Sequence, residues 1–311
     1  MLNFKFLLEK PNLTALVLTL ITSTAVWADH KVTDSDGEKT LPAVPTRVAA
    51  LNWDITEQVL ELGITPIAVP DIKGYEEWVV QPSIPETSVD IGTRVEPNFT
   101  LLRDLKPDVI LIASPQKDLQ RRLEKIAPVL HFQTYSEDHN NAEAAIENFK
   151  RIAHLLGKDE LATQKLASMK KRLKELNQQL SDAYPNGKPD VTSFRFASAT
   201  SVYVYGDNSI PQFALQQLGF NNAMPQESTQ WGITQKRITN LKKVGNGIAL
   251  YFEPFDQQAR LNRSPIWKNM PFVKRNDVAP VAASWSYGGA MSILYNAEAL
   301  AEALLTLSER P

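Results

Sequence analysis

The chain has 311 residues, with 33 Lys and Arg against 35 Asp and Glu and an apolar fraction of 43%, so it is near neutral and has apolar side chains enough for two packed cores. With no basic run outside one central helix, nucleic acid is not implied as a partner. The absence of cysteine excludes disulfides, thiolate metal sites, a cysteine nucleophile and a lipid-modified cysteine.

Lys5 and Lys10 precede an apolar run from Leu13 to Ile21, and Val26-Trp-Ala28 ends the stretch before Asp29. The run is much shorter than the roughly 20 residues of a spanning helix, so residues 1–28 read as a secretory signal peptide cleaved near Ala28. A free protein of the periplasm is the expectation for such a chain. From Asp29 to Pro45 the sequence is polar and predicts an extended arm. Val48 to Leu51 is a short strand, Asp54 to Leu62 a helix stopped by Gly63, and Ile67 to Val69 the next strand. Pro70, Pro82 and Pro85 then punctuate a predicted long loop that carries Tyr75 and Trp78 to Val89 and Asp90. Asn98 caps a helix to Leu105, and Asp108 to Ala113 is a buried strand. Arg121 to Ile126 reads as helix, Val129 to Phe132 as strand, and Ala142 to Leu156 as an amphipathic helix ending at Gly157.

The central stretch from Glu160 to Ala183 organises the chain. Ala162, Leu166, Met169, Leu173, Leu176 and Leu180 recur at steps of four and three, which sets one narrow apolar seam on a continuous helix. Lys165, Lys170, Lys171, Arg172 and Lys174 lie off that seam, and Pro185 with Gly187 end the run. At about 1.5 Å per residue the helix is about 36 Å long. About three heptads of seam could pair with a second copy or pack on a single domain. A strut joining two α/β lobes explains the position as well as the pattern. The expected division is therefore a first lobe over 29–157, a connecting helix over 158–186 and a second lobe over 187–311.

Past the strut, Val191 to Phe196 and Val202 to Tyr205 are predicted strands, and Pro211 to Leu218 is a helix stopped by Gly219. Ile238 to Tyr251 parallels Phe99 to Ile112, in each case a helix running directly into a buried strand. The halves read as variants of one βαβ unit, and the fold class as α/β with two Rossmann-like lobes and a cleft between them. Met291 to Leu307 is a final amphipathic helix.

The chemistry begins with what is missing. His30, His131, His139 and His154 have no metal-ligand spacing, and neither a phosphate-cradling glycine loop nor a nucleophile elbow is present. A hydrolase is not supported. Aromatics and one arginine are instead placed in connecting segments: Trp78, Arg94 within Asp90 to Asn98, Trp231 beside Gly232, and Trp285 with Tyr287 before Gly288-Gly289. Such residues suit a cleft with rigid apolar walls and a few polar anchors, although each tryptophan could plug its own lobe and Arg94 could pair with Glu96 or Asp90. Trp267 reads as structural.

Arg47 to Gly63, Trp78 to Asn98, Leu105-Lys-Pro-Asp108, Ile126-Ala-Pro128, Trp231-Gly232, Trp267 to Val273 and Trp285-Ser-Tyr-Gly288 together resemble the periplasmic ferric hydroxamate siderophore-binding proteins, the FhuD type. The resemblance spans nearly the whole chain after residue 28, in order. It implies two α/β lobes joined by one long helix, capture of a ferric hydroxamate siderophore as a ligand without catalysis or a resident cofactor or metal, and delivery by a monomer to an inner-membrane ABC importer permease. It also implies that Arg94 donates hydrogen bonds to the iron-coordinating hydroxamate oxygens and that Trp78, Trp231, Trp285 and Tyr287 line the cleft, with Trp53 either in the wall or in the core. A neutral ferric trihydroxamate needs one guanidinium fork, whereas an anionic ferric catecholate calls for a basic cluster, and none is visible.

Two positions depart from the family. Its tyrosine after the strand ending at Ala113 is replaced around Ser114-Pro-Gln116, which makes Gln116 the candidate substitute. Thr100 and Thr239 stand where the wider class places acidic residues that dock the permease, with Glu96 and Asp104 nearby. Other readings are a binding protein of the same class for haem, a corrinoid or a ferric catecholate, and an exported enzyme that processes the chelate. A strut without Gly or Pro predicts only a small closure on binding.

Overall fold

The computed structural model describes residues 29–309; the predicted signal peptide lies outside the described residues. Among the described residues no helix is long and apolar enough to cross a membrane. The polar arm is a hairpin in which β1 (His30–Asp34) pairs antiparallel with β2 (Gly37–Leu41). Asp34 ties it to the first lobe by accepting the His131 N–H at 3.0 Å.

The first lobe opens with β3 (Val48–Ala50), α1 (Trp53–Glu61), β4 (Ala68–Val69) and α2 (Ile72–Trp78). It continues through β5 (Val89–Asp90), α3 (Phe99–Asp104), β6 (Val109–Ile112) and a 3-10 turn over Ser114–Leu119. α4 (Gln120–Leu123), β7 (Val129–His131) and α5 (Asn141–Leu155) complete it. Its sheet runs β5-β4-β3-β6-β7 and is parallel throughout. The strands Val-Ala-Ala and Val-Ile-Leu-Ile are buried along their whole length, as expected where helices cover both faces of a parallel sheet.

One prediction is corrected in this lobe. The stretch after Pro70 is not all loop, because Asp71 accepts the Gly74 N–H at 3.2 Å and so caps α2. Trp78 therefore ends a helix, one too short to show a periodic pattern in the sequence.

The strut is α6 (Asp159–Ala183), with Ala162, Met169, Leu173, Leu176 and Leu180 buried and Leu166 packed against the same core. Helices of its own chain cover the seam, so the sequence pattern needs no second copy. α7 (Ile210–Gln217) follows β8 (Val191–Ser198) and β9 (Ser201–Tyr205) in the second lobe. Next come β10 (Ile233–Arg237), a 3-10 turn over Ile238–Val244 and β11 (Ile248–Phe252). α8 (Gln258–Arg263), α9 (Pro265–Lys268), α10 (Pro271–Lys274), β12 (Val278–Val281) and α11 (Ser292–Ser308) finish it. This sheet, β10-β9-β8-β11-β12, is mixed: β8, β11 and β12 are parallel, while β9 and β10 are antiparallel. Only Ala199 and Thr200 connect β8 to β9, too few for a parallel crossover. The two lobes therefore share a grammar and differ in topology.

The lobes meet through the polar side of α1. Glu57, fully buried, accepts the Gly289 N–H at 3.0 Å, the Ser292 N–H at 2.9 Å and the Ser292 hydroxyl at 2.6 Å, which places a carboxyl group at the N-terminus of α11. One turn on, Glu61 accepts from Tyr295 of α11 and pairs with Lys165 of the strut. Tyr135 adds a hydrogen bond to the Gly288 carbonyl at 2.7 Å, and Asn208 donates to the Ser136 carbonyl at 2.8 Å. This approach requires Gly288 and Gly289. A Cβ on Gly288 would lie 1.8 Å from Ser292 Oγ and 2.5 Å from Glu57 Oε2, and one on Gly289 would lie 2.3 Å from Gln58 Cγ. Gly288→Ala is accordingly expected to destabilise the protein by about 1–3 kcal/mol in denaturant unfolding.

Burial pushes the Glu57 carboxyl up to about 8 against the pull of Ser292 and Gly289, and it pushes Asp54 up to about 6 against the pull of Asn52 and Thr134. Both groups hold a proton more tightly folded than unfolded. The stability linked to them is fully present below their unfolded values and is lost as pH rises through the folded ones. The thermal midpoint should fall as pH is raised from about 5 to about 8.5, and Glu57→Gln should flatten the upper part of that fall in melts across the range.

Candidate functional site

The carboxyl ends of the parallel strands in both sheets open onto one crevice, where ligands bind in α/β folds of this kind. Residues that follow β3, β6 and β7 face residues that end or follow β8, β11 and β12 across two chambers. The smaller has a volume of ≈ 170 Å³ and is walled by Trp53, Trp78 and Trp285, with Arg94 and Arg195 entering from opposite lobes. The larger, ≈ 310 Å³, is walled by Tyr135, Trp231, Ile233 and Tyr287. Arg94 and Trp285 line both. The five residues that the sequence singled out, Trp78, Arg94, Trp231, Trp285 and Tyr287, are thus brought to one cleft from four segments of chain.

Arg94 is held by its surroundings rather than by an ion pair. Its loop is pinned where Asp90 accepts the Gly92 N–H at 2.8 Å and where the Asn98 N–H donates to the Ile91 carbonyl at 2.7 Å. The guanidinium lies over the Trp53 ring, 3.7 Å from its centroid, which is a cation–π contact. Among the described residues no carboxylate forms a salt bridge with it, so neither Glu96 nor Asp90 takes the partner role the sequence left open. Burial lowers its pKa below the ordinary arginine value, while Asp71 and Asp54 act in the opposite direction. Trp53 serves both of its expected roles. It is 3% exposed and donates from Nε1 to the Pro70 carbonyl at 3.1 Å, yet one ring face carries the arginine.

Gln116 does not replace the family's tyrosine. It is fully buried; its Oε1 accepts the Ala113 N–H at 3.2 Å and its Nε2 donates to the Arg94 carbonyl at 3.1 Å. Both ends of the amide are used inside the protein, which makes Gln116 a positioning residue for the Arg94 loop. Tyr135 is a residue the sequence reading missed. Its ring stacks on Trp231 with centroids 5.8 Å apart, and its hydroxyl is committed to Gly288, so it offers a wall and no free donor. The signal was an aromatic three residues beyond a buried strand. Arg195 was missed as well, an arginine between two phenylalanines at the end of a predicted strand.

Trp285 packs edge-on against Trp53 at 5.1 Å and against Tyr287 at 5.3 Å, which joins the walls of the two lobes. Trp267 stands apart from the cleft, 5% exposed within the second lobe's core, as the sequence suggested. Thr100 on α3 and Thr239 on the second 3-10 turn are exposed and lie outside the cleft, as are Glu96 and Asp104. Among the described residues no cluster of three or more His, Asp or Glu is placed to hold a metal ion.

A family model for periplasmic binding proteins matches residues 48–283. The chain belongs to that family. FhuD of Vibrio cholerae, solved with Fe3+ and Desferal bound, superposes with a TM-score of 0.83 at 48% identity, over 84% of this chain and 98% of that one. The iron(3+)-hydroxamate-binding protein FhuD of Escherichia coli K12 is 28% identical over 262 residues, 84% of this chain and 87% of that protein. The Fe(3+)-citrate-binding protein YfmC of Bacillus subtilis 168 is 29% identical over 251 residues, 79% and 76% respectively. The FhuD-type resemblance and the two-lobed α/β fold are borne out, and the chain is a binding protein, not an enzyme.

Gln116→Ala tests the positioning role. It leaves the Ala113 N–H without its acceptor in a buried place, so it is expected to lower stability by about 1–3 kcal/mol and to weaken ligand binding without removing any group that faces the cleft. Denaturant unfolding and ligand titration of the same variant measure both effects.

Proposed function

We propose that this chain is a periplasmic monomer, exported by residues 1–28, that captures ferric hydroxamate siderophores between lobes held by the helix over 158–186 and delivers them to an inner-membrane ABC importer. The observation that supports this most is Arg94, a half-buried guanidinium stacked on Trp53, in no salt bridge among the described residues, at the junction of two aromatic-walled chambers. Three hydroxamates cancel the charge of a ferric ion, so the chelate asks for a forked donor to its oxygens and broad apolar contact. Arg94 supplies the fork, and Trp78, Trp231, Trp285 and Tyr287 supply the walls. The chelator brings every iron ligand, and the protein adds no cofactor. The Vibrio cholerae relative with Fe3+ and Desferal bound supports the same ligand class.

Intrinsic tryptophan fluorescence provides the test. Ferric trihydroxamate should quench saturably, the iron-free chelator weakly, and Arg94→Ala should lower affinity roughly 10- to 100-fold, the worth of hydrogen bonds to a charged donor. A wild-type protein that ignores hydroxamates and responds to a ferric catecholate or to haem would overturn the ligand assignment. Solution scattering should show little compaction on loading, since α6 runs unbroken beside both lobes.

A further inference from the structure

Resting on the binding role above, we propose that Arg195 makes the smaller chamber an anion subsite, which takes a carboxylate arm projecting from the chelate while the chelated iron sits against Arg94. Arg195 lies in the central strand of its sheet, where the parallel pairing with β11 ends at Phe252, and lines the same chamber as Arg94 from the opposite lobe. Phe194 and Phe196 on either side of it are core residues, so strand alternation turns the arginine to the other face. There its guanidinium lies over the Tyr203 ring at 4.5 Å and hydrogen-bonds the Tyr287 hydroxyl. Its Nε has no acceptor, and among the described residues no carboxylate forms a salt bridge with it.

A half-buried charge is normally paired inside the protein. This one is steadied by a neutral hydroxyl and a ring, and it faces a cavity. Its fork suits a carboxylate better than it suits a single carbonyl. The chamber, at ≈ 170 Å³, is smaller than the roughly 300–1,000 Å³ of a pocket for a whole ligand, which fits a pendant arm and not the chelate itself. Arg94 on the facing wall adds a second positive charge. Glu253 also lines the chamber, but from an exposed position at its rim. The preferred substrate class is therefore a linear ferric hydroxamate with an acidic tail.

Three ferric trihydroxamates with one common core and a terminal ammonium, acetamide or succinyl carboxylate separate the contributions. Titrated by tryptophan fluorescence, the wild type is expected to bind the carboxylate form about tenfold or more tighter than the ammonium form, the discrimination a forked ion pair provides. Arg195→Gln should bring that ratio to within about twofold, whatever it does to the acetamide form, and Arg195→Lys should retain part of it. Arg195→Met serves as the second neutral variant if Arg195→Gln does not fold. Equal binding of the three forms, a preference that survives both neutral variants, or a preference for the ammonium arm, which would assign the chamber to Glu253, overturns the proposal. Failure of the wild type to bind any of the three overturns the hydroxamate reading itself and this subsite with it.

Discussion

The geometry of the cleft depends on one buried carboxyl group. Glu57 reaches from α1 of the first lobe to the N-terminus of α11 in the second and accepts three hydrogen bonds there. A carboxyl group with no solvent is unfavourable unless hydrogen-bond partners surround it, and the helix terminus supplies them from groups that would otherwise lack partners. Because Ser292 and Gly289 follow directly on the Trp285-to-Gly288 segment, the same contact that joins the lobes fixes where the second lobe's aromatic wall stands. Glu61, four residues on, repeats the arrangement with Tyr295 and Lys165, so α1 holds both the last helix and the strut. The two glycines let these surfaces touch, and without them Ser292 and Glu57 would be forced apart.

The recognition side of the cleft is built by the same economy of charge. Arg94 is presented by a loop whose backbone is fixed from below by Gln116 and whose side chain is supported by the face of Trp53. Trp53 is in turn held by its hydrogen bond to Pro70 and by edge contacts with Tyr75 and Trp285. Each aromatic ring that a ligand would meet is braced by another ring or by the core, and this rigidity limits the ordering cost of binding. The Tyr135 hydroxyl, in the wall of the larger chamber, is committed to the Gly288 carbonyl and offers the ligand no donor.

Much of this was legible in the sequence because long periodic segments carry their own signal. The α6 seam, the buried strands at Val109 and Ile248 and the Asn98 cap depend on local pattern, and all stand where the pattern put them. Aromatics beside glycines in connecting segments located the cleft for the same reason. What was not legible depends on contacts distant in sequence. α2 is too short to show periodicity. The antiparallel β8–β9 pair follows from a two-residue connection that propensity does not reveal. Gln116 was a candidate ligand contact because it stands near the place of the family's tyrosine, and only the three-dimensional fold shows its amide spent on Ala113 and Arg94. Glu57 carried no signal at all, since a glutamate in a helix reads as a solvated face until its partner 232 residues away is known.

These features bear on how such a protein can bind and release cargo. A hinged binding protein gains affinity by closing on its ligand, and it must reopen to let go. Here the strut has no break, and the lobes are already joined by hydrogen bonds from Glu57, Tyr135 and Asn208, so free and loaded forms can differ little in overall shape. Affinity must then come from a surface that is complementary before the ligand arrives, and discrimination from the few polar groups left unpaired in it. Arg94 and Arg195 are charged members of that set: one from each lobe, each cushioned on an aromatic face, and neither ion-paired among the described residues. The subsite proposed at Arg195 would let such a preformed cleft select by the charge that the chelate carries, and a rigid frame allows that selection without a large motion.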